Sequence, residues 1–399
     1  MTTPPSALQP NGNPPFAGGY AALTFCQAPD ASGESATWGL REWASGYGLP
    51  LGDRGPAGPQ KEASVRGKWW SNPILSSLTP VIEGSGFVTT NEGEVRRVAT
   101  WMAAEEFPDF RSTAPAAKGP FDIGPDPDKN IDLTMLITIL NFAFTDFATS
   151  KKFEVTYNGV RYSDSEAMFA CLHKAILAGQ PILTGQWAAG VTRRDLEELF
   201  RGDNEMPMLD ERVTALNTVG AALTERYDGK WHRWVASCAP ALYSGGDGLL
   251  ERLVTEFPRF DDVSDWKGHK IQIQKLSQLG LWGLHRGLAP LGRTVLKDPE
   301  MCTAFADYIV PVALRTMGIF EYEASLERRI MGGEMIPRDS LEEIEIRAHS
   351  IYATALLTDE VNARRPADKQ LLIPEVDYRL WKTYHATHYP HHLTRTIMY

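Results

Sequence analysis

From Trp69-Trp70 onward, apolar residues recur mainly at helical rather than strand spacing. Glu94 to Glu105 (EVRRVATWMAAE) forms a short amphipathic segment, and an apolar run follows Ile131 as far as LNFAFTDF. FEVTY and VRYS flank Asn158-Gly159, the pair that suits a type I′ hairpin because both central positions need positive φ. Ser163-x-x-Glu166 then reads as a capping box, and Met168, Cys171, Leu172, Ala175 and Ile176 continue as a helix that Gly179 and Pro181 end. Further helices are expected over Arg193–Arg201, Asp210–Tyr227, Leu249–Phe257 and Leu341–Leu357. The last follows a second box, Ser340-x-x-Glu343, and its stripe is Leu341, Ile344, Ala348, Ile351, Tyr352 and Ala355. Few strands are convincing, so no parallel sheet can be assembled. The expected class is mainly α with a small β-hairpin: a single large helical domain over residues 66–399.

Residues 1–65 break the pattern. They are rich in Pro, Gly, Ser and Ala, and apolar residues recur there with no period, which reads as an irregular N-terminal extension. A second Pro-rich stretch, residues 107–130, reads as a long loop. The start of the chain has neither the basic residues nor the apolar run of a secretory signal, and no stretch is long and apolar enough to span a bilayer. The four cysteines (Cys26, Cys171, Cys238 and Cys302) form no CxxC pair and suit reduced thiols in a cytoplasmic protein. The 399 residues carry a net charge of −10, which repels a long polyanion. Direct binding of nucleic acid is therefore not expected, whereas a single nucleotide needs only one or two local cations.

Phosphate loops of the GxxxxGK[ST] and GxGxxG kinds are missing from the sequence. His385, His388, His391 and His392 invite a metal reading, but Pro390 breaks the helix that would align them and no HExxH accompanies them. No metal and no cofactor is expected. Asp307 stands almost alone among apolar residues in MCTAFADYIVPVAL; a buried carboxylate there is a helix cap, one half of a core ion pair, or a catalytic group. Lys275, in IQIQKLSQLG, is a similar lone charge, for which a snorkelling surface lysine is the plainer reading.

Several segments, in this order and spacing, resemble the queuosine salvage family. They include Asn72-Pro73, GEVRRVA, LNFAF, Tyr162-Ser163, GQPILTGQW, MPMLDER and GHKIQIQKLSQ. FADYIVP, EEIEIRA, VDYRLW and the terminal PHHLTRTIMY complete the series, from about residue 70 to 399. The resemblance implies a core similar to helical DNA glycosylases. It also implies hydrolysis of queuosine 5′-monophosphate to queuine and ribose 5-phosphate, in queuine salvage for tRNA modification. The family's active-site lysine and aspartate fall on Lys275 and Asp307. Rival readings are an N-glycosidase for another modified nucleotide or nucleoside, and a non-catalytic queuine binder.

Cleaving an N-glycosidic bond builds positive charge on C1′ and the ring oxygen, which a neighbouring carboxylate stabilises. The flat base wants an aromatic face, for which Phe142, Trp187 and Phe305 are candidates, with Asn141 beside Phe142. Asp203 and Glu211 could accept from the amine of the cyclopentenediol arm. His392, Arg395, Tyr399 and Arg347 could serve the 5′-phosphate, although Arg347 equally suits an intrahelical pair with Glu343.

Overall fold

The computed structural model describes residues 66–108, 119–293, 295–385, 387 and 389–399. The helices are α1 (Pro73–Ser77), α2 (Thr79–Gly84), α3 (Glu92–Met102), α4 (Pro127–Leu140), α5 (Asp164–Leu177), α6 (Gly185–Gly190), α7 (Arg193–Leu199) and α8 (Leu209–Tyr227). They continue with α9 (Trp231–Ser237), α10 (Leu249–Glu256), α11 (Lys275–Leu288), α12 (Val310–Thr316), α13 (Ala324–Met331), α14 (Leu341–Asn362) and α15 (Ile373–Tyr384). Strands are short and pair antiparallel in twos: β1 (Val88–Thr90) with β6 (Phe320–Tyr322), β2 (Glu154–Tyr157) with β3 (Val160–Ser163), and β4 (Val263–Trp266) with β5 (His269–Gln272). The mainly helical class is thus what the molecule shows.

Local chemistry explains most boundaries. Asn158 (φ 50°) and Gly159 (φ 78°) turn the β2–β3 hairpin with both central residues left-handed. Asn91 accepts the N–H groups of Gly93 and Glu94 at the start of α3. Helix α4 begins inside the Pro-rich stretch that reads as loop to residue 130: Pro127 occupies its first turn and Asp126 accepts from Asp128 and Lys129. Residues 109–118 of that stretch lie outside the described residues. The Ser163 box does not form, because its side chain makes no cap bond and α5 opens on Asp164 in a left-handed conformation (φ 54°). At Ser340 half of the box forms: its Oγ accepts the Glu343 N–H, but the Glu343 carboxylate turns to Asp339 and Tyr399.

The buried apolar side chains fall into two clusters. One gathers α4, α5, α8, α9, α10 and α11; the other gathers α3, α12, α13 and α15. Helix α14 feeds both. Ile344, Ala348, Ile351 and Ala355 face the first cluster, and Ile346, Ala353, Leu357 and Val361 face the second. Its apolar residues therefore surround it, and it extends five residues past the Leu357 end that a single stripe implies.

Candidate active site

The chain passes from the first cluster to the second at Asp307. Phe305 and Ala306 pack in one, Ile309 and Val310 in the other. Asp307 Oδ1 accepts the N–H groups of Ile309 (2.8 Å) and Val310 (3.0 Å), which caps the start of α12. Its Oδ2 has no hydrogen-bond partner among the described residues.

Lys275 is the first residue of α11, after Gln274 in a left-handed conformation (φ 54°). A cation there meets the positive end of the helix dipole, an unfavourable placement that local stability would not select. Its backbone N–H donates to Asp262 Oδ2 at 3.1 Å. Burial pushes the ammonium below the usual lysine value, and the charges of Asp307 and Asp377 oppose that push. Lys275 therefore feels both carboxyls, yet no carboxylate oxygen of the described residues lies within 4.0 Å of its Nζ. The separation leaves room between the charged ends.

Asp377 completes the group from α15. It lies on that helix's buried stripe with Ile373, Val376, Leu380 and Tyr384. Its Oδ1 accepts the Phe305 N–H at 2.9 Å. Burial, and then the Asp307 charge, holds its carboxyl well above the usual carboxylate range. Lys275 and Asp307 are each 7% exposed and Asp377 4%, so all three chargeable groups are buried together with little contact with solvent.

The segment leading to Asp307 is held from three helices. Gln278 of α11 accepts the Thr303 N–H (2.8 Å), Asp377 holds Phe305, and Arg347 of α14 donates its Nε–H to the Ala306 carbonyl (3.3 Å). Beside Asp307, Tyr308 lies against the His391 ring (centroids 4.6 Å apart) and Trp381 stacks on His385 (4.1 Å). Burial lowers both histidines, and the Asp307 charge opposes this. Asp164 pairs with Lys152 at 2.8 Å, and burial with the Asp164 charge pushes Glu166 up to about 7.

The expected site residues separate into two sets. Lys275, Phe305, Asp307, Arg347, His392 and Tyr399 share one network. Arg347 grips both oxygens of Asp262 (2.9 and 2.7 Å), which in turn holds Lys275, and its guanidinium covers the Tyr399 ring at 4.5 Å. Tyr399 donates to Glu343 (3.1 Å) and its hydroxyl meets His392 Nε2 (3.1 Å). These contacts engage Arg347, which favours support of the site over phosphate contact. Phe142 is buried beneath two guanidiniums, Arg212 (4.3 Å) and Arg259 (5.0 Å), so its faces are covered; Asn141 beside it is partly exposed. The remaining candidates lie elsewhere. Asp203 faces Arg161 at the hairpin surface (3.7 Å), Glu211 pairs with Arg395 near the surface, and Trp187 packs on the first cluster from α6. His388 lies outside the described residues.

A sequence profile described as queuosine salvage protein matches residues 123–399, which hold Lys275, Asp307 and Asp377. The chain belongs to the queuosine salvage family. A Sphaerobacter thermophilus protein named queuosine 5′-phosphate N-glycosylase/hydrolase is 28% identical over 329 residues, covering 82% of this chain and 97% of that one. A Bos taurus protein of the same name is 28% identical over 333 residues, covering 80% and 96%. One from Dictyostelium discoideum is 30% identical over 235 residues, covering 57% and 69%.

In this member of the queuosine salvage family, Asp377 and Asp262 escaped the reading of the sequence. Asp377 left a signal: a carboxylate on the apolar stripe Ile373–Val376–Leu380 of VDYRLW, the same anomaly that singles out Asp307. Asp262 left none, because Asp261-Asp262 reads as an ordinary polar turn.

Proposed function

We propose that this chain hydrolyses the N-glycosidic bond of queuosine 5′-monophosphate, releasing queuine and ribose 5-phosphate, with Asp307 and Lys275 as its catalytic pair. One observation carries the reading: a carboxylate with one oxygen unpartnered among the described residues acts on a buried lysine, inside the part of the chain that the family profile matches. Asp307 Oδ2 meets the positive charge that develops at C1′ as the base departs, and water completes the substitution. The apolar surroundings of Phe305, Ala306 and Ile309 weaken dielectric screening of that attraction. Lys275 donates toward the ribose. Queuine is a 7-deazapurine without the N7 that purine hydrolases protonate, so the carboxylate carries a large share of the barrier. Of the expected substrate contacts, Phe305 and Asn141 fit best, since the first adjoins Asp307 and the second stays partly exposed.

The substrate is the free nucleotide, not tRNA: a net charge of −10 disfavours a polyanion. No described helix is long and apolar enough to cross a membrane. A cytoplasmic setting suits the free thiols of Cys171, Cys238 and Cys302.

The test is release of free base from a panel of queuosine 5′-monophosphate, queuosine, GMP and queuosine-containing tRNA. Queuine should come fastest from the 5′-monophosphate. Equal turnover of GMP, or faster release from intact tRNA, would refute the assignment.

A further inference from the structure

Two carboxyls serve a single buried ammonium here. Asp377 from α15 and Asp307 at the start of α12 both act on Lys275, and each acts on the other. Beyond Lys275 the nearest charges, Arg347 and Asp262, neutralise one another in a bidentate pair. The side groups that sense Asp307 (Tyr308, His385 and His391) add no cation at neutral pH, because burial lowers both histidines.

The hydrogen bonds give the two carboxyls different work. Asp307 Oδ1 takes the backbone N–H groups of Ile309 and Val310, just ahead of α12. Asp377 takes one N–H, from Phe305, and reaches across from within α15 to do so. Its second oxygen has no partner among the described residues. The bond to Phe305 lies between the Thr303 and Ala306 anchors, two residues before the reacting carboxylate.

We propose that Asp377 is a positioning residue for the hydrolysis: by accepting the Phe305 N–H it fixes the segment Thr303–Asp307 and so sets the place of the Asp307 carboxylate. This rests on the role given to Asp307 above, and the experiment separates the two. Asp377→Asn keeps an acceptor for the Phe305 N–H; Asp377→Leu keeps the volume and removes the acceptor. Both are compared with Asp307→Asn, in the full chain, for kcat and KM on queuosine 5′-monophosphate across pH 5–9.

Asp377→Asn should keep kcat within about threefold of the parent and leave the acid limb of the kcat profile in place, because the acceptor for the Phe305 N–H is kept and Asp307 stays where it was. Asp377→Leu should lower kcat about 30-fold or more with KM little changed, since the reacting carboxylate is displaced while distant contacts persist. A loss in Asp377→Asn of about 100-fold or more would overturn the proposal, for the acid would then bring its own proton or charge to the reaction. So would an acid limb moved by about a unit in that variant, or full activity in Asp377→Leu. Should the leucine variant fail to fold, the asparagine profile alone decides. Near-normal turnover by Asp307→Asn would instead refute the reading of Asp307.

Discussion

Asp307 gives one oxygen to the backbone and leaves the other without a partner among the described residues, and substitutions can separate those uses. Asp307→Asn retains an oxygen for the Ile309 and Val310 N–H groups but removes the charge. Its kcat should fall by about a thousandfold while the thermal midpoint barely moves. Asp307→Ala should lose the same activity and also about 1 kcal/mol of stability, the ordinary worth of a helix cap. Steady-state kinetics with thermal melts of the two variants check this; an asparagine variant as unstable as the alanine one would show that the cap does not depend on geometry alone. His349 offers a second residue-scale test. Its ring nitrogens contact Ser85 Oγ (2.9 Å) and Thr90 Oγ1 (2.8 Å), and burial lowers it to about 4. Below its unfolded pKa of about 6.5 the unfolded chain takes up a proton that the folded one refuses. Its contribution to stability is thus present at neutral pH and is lost as pH falls from about 6.5 to about 4, amounting to about 2 kcal/mol at pH 5. The midpoint of His349→Gln should depend less on pH over that window than the parent's; identical slopes would contradict the burial argument.

Among the elements, α4 shows how buried cations can be structural. Arg212 is fully buried and donates to the carbonyls of Leu140, Phe142, Ala143 and Pro207, while Arg259 donates to Ile139. The two guanidiniums tie down the C-terminal end of α4 and enclose Phe142, and burial lowers both to about 9. Arg212→Leu should cost about 3 kcal/mol or more, since several buried carbonyls lose their donor together. Chemical denaturation measures it, and a loss under about 1 kcal/mol would show that water replaces the guanidinium. These arginines also explain where sequence reading stopped. Elements with a local cause were legible: the Asn158-Gly159 turn, the Gly179 stop, and the helices from Arg193, Leu209 and Leu249. Lys275 and Asp307 stood out as lone charges in apolar runs. Asp262 and Asp377 did not, because they come from two separate segments, and Arg347 was named for phosphate while its grip on Asp262 stayed hidden. Phe142 reads as a free aromatic until Arg212 and Arg259 fold over it. The full reach of α14 was hidden for a related reason: with apolar residues on every side it has no single stripe to trace.

At the scale of the molecule, the proposed catalytic pair and the network that holds it lie between Asp262 and Tyr399. The described chain begins earlier, and its first contacts matter: the Gly67 N–H (2.9 Å) and Trp70 Nε1–H (2.6 Å) both donate to Asp359 of α14. A chain starting at residue 66 should therefore keep full turnover and an unchanged melting temperature. One starting at residue 73 should melt lower by several degrees, because Asp359 loses both donors. Reduced turnover in the first truncation would give residues 1–65 a part in catalysis. The double allegiance of α14 reaches further. A spine shared by two halves denies either half a private melting transition, so loosening one must loosen the other. Amide exchange along Leu341–Asn362 should then be among the slowest in the protein and should track global unfolding.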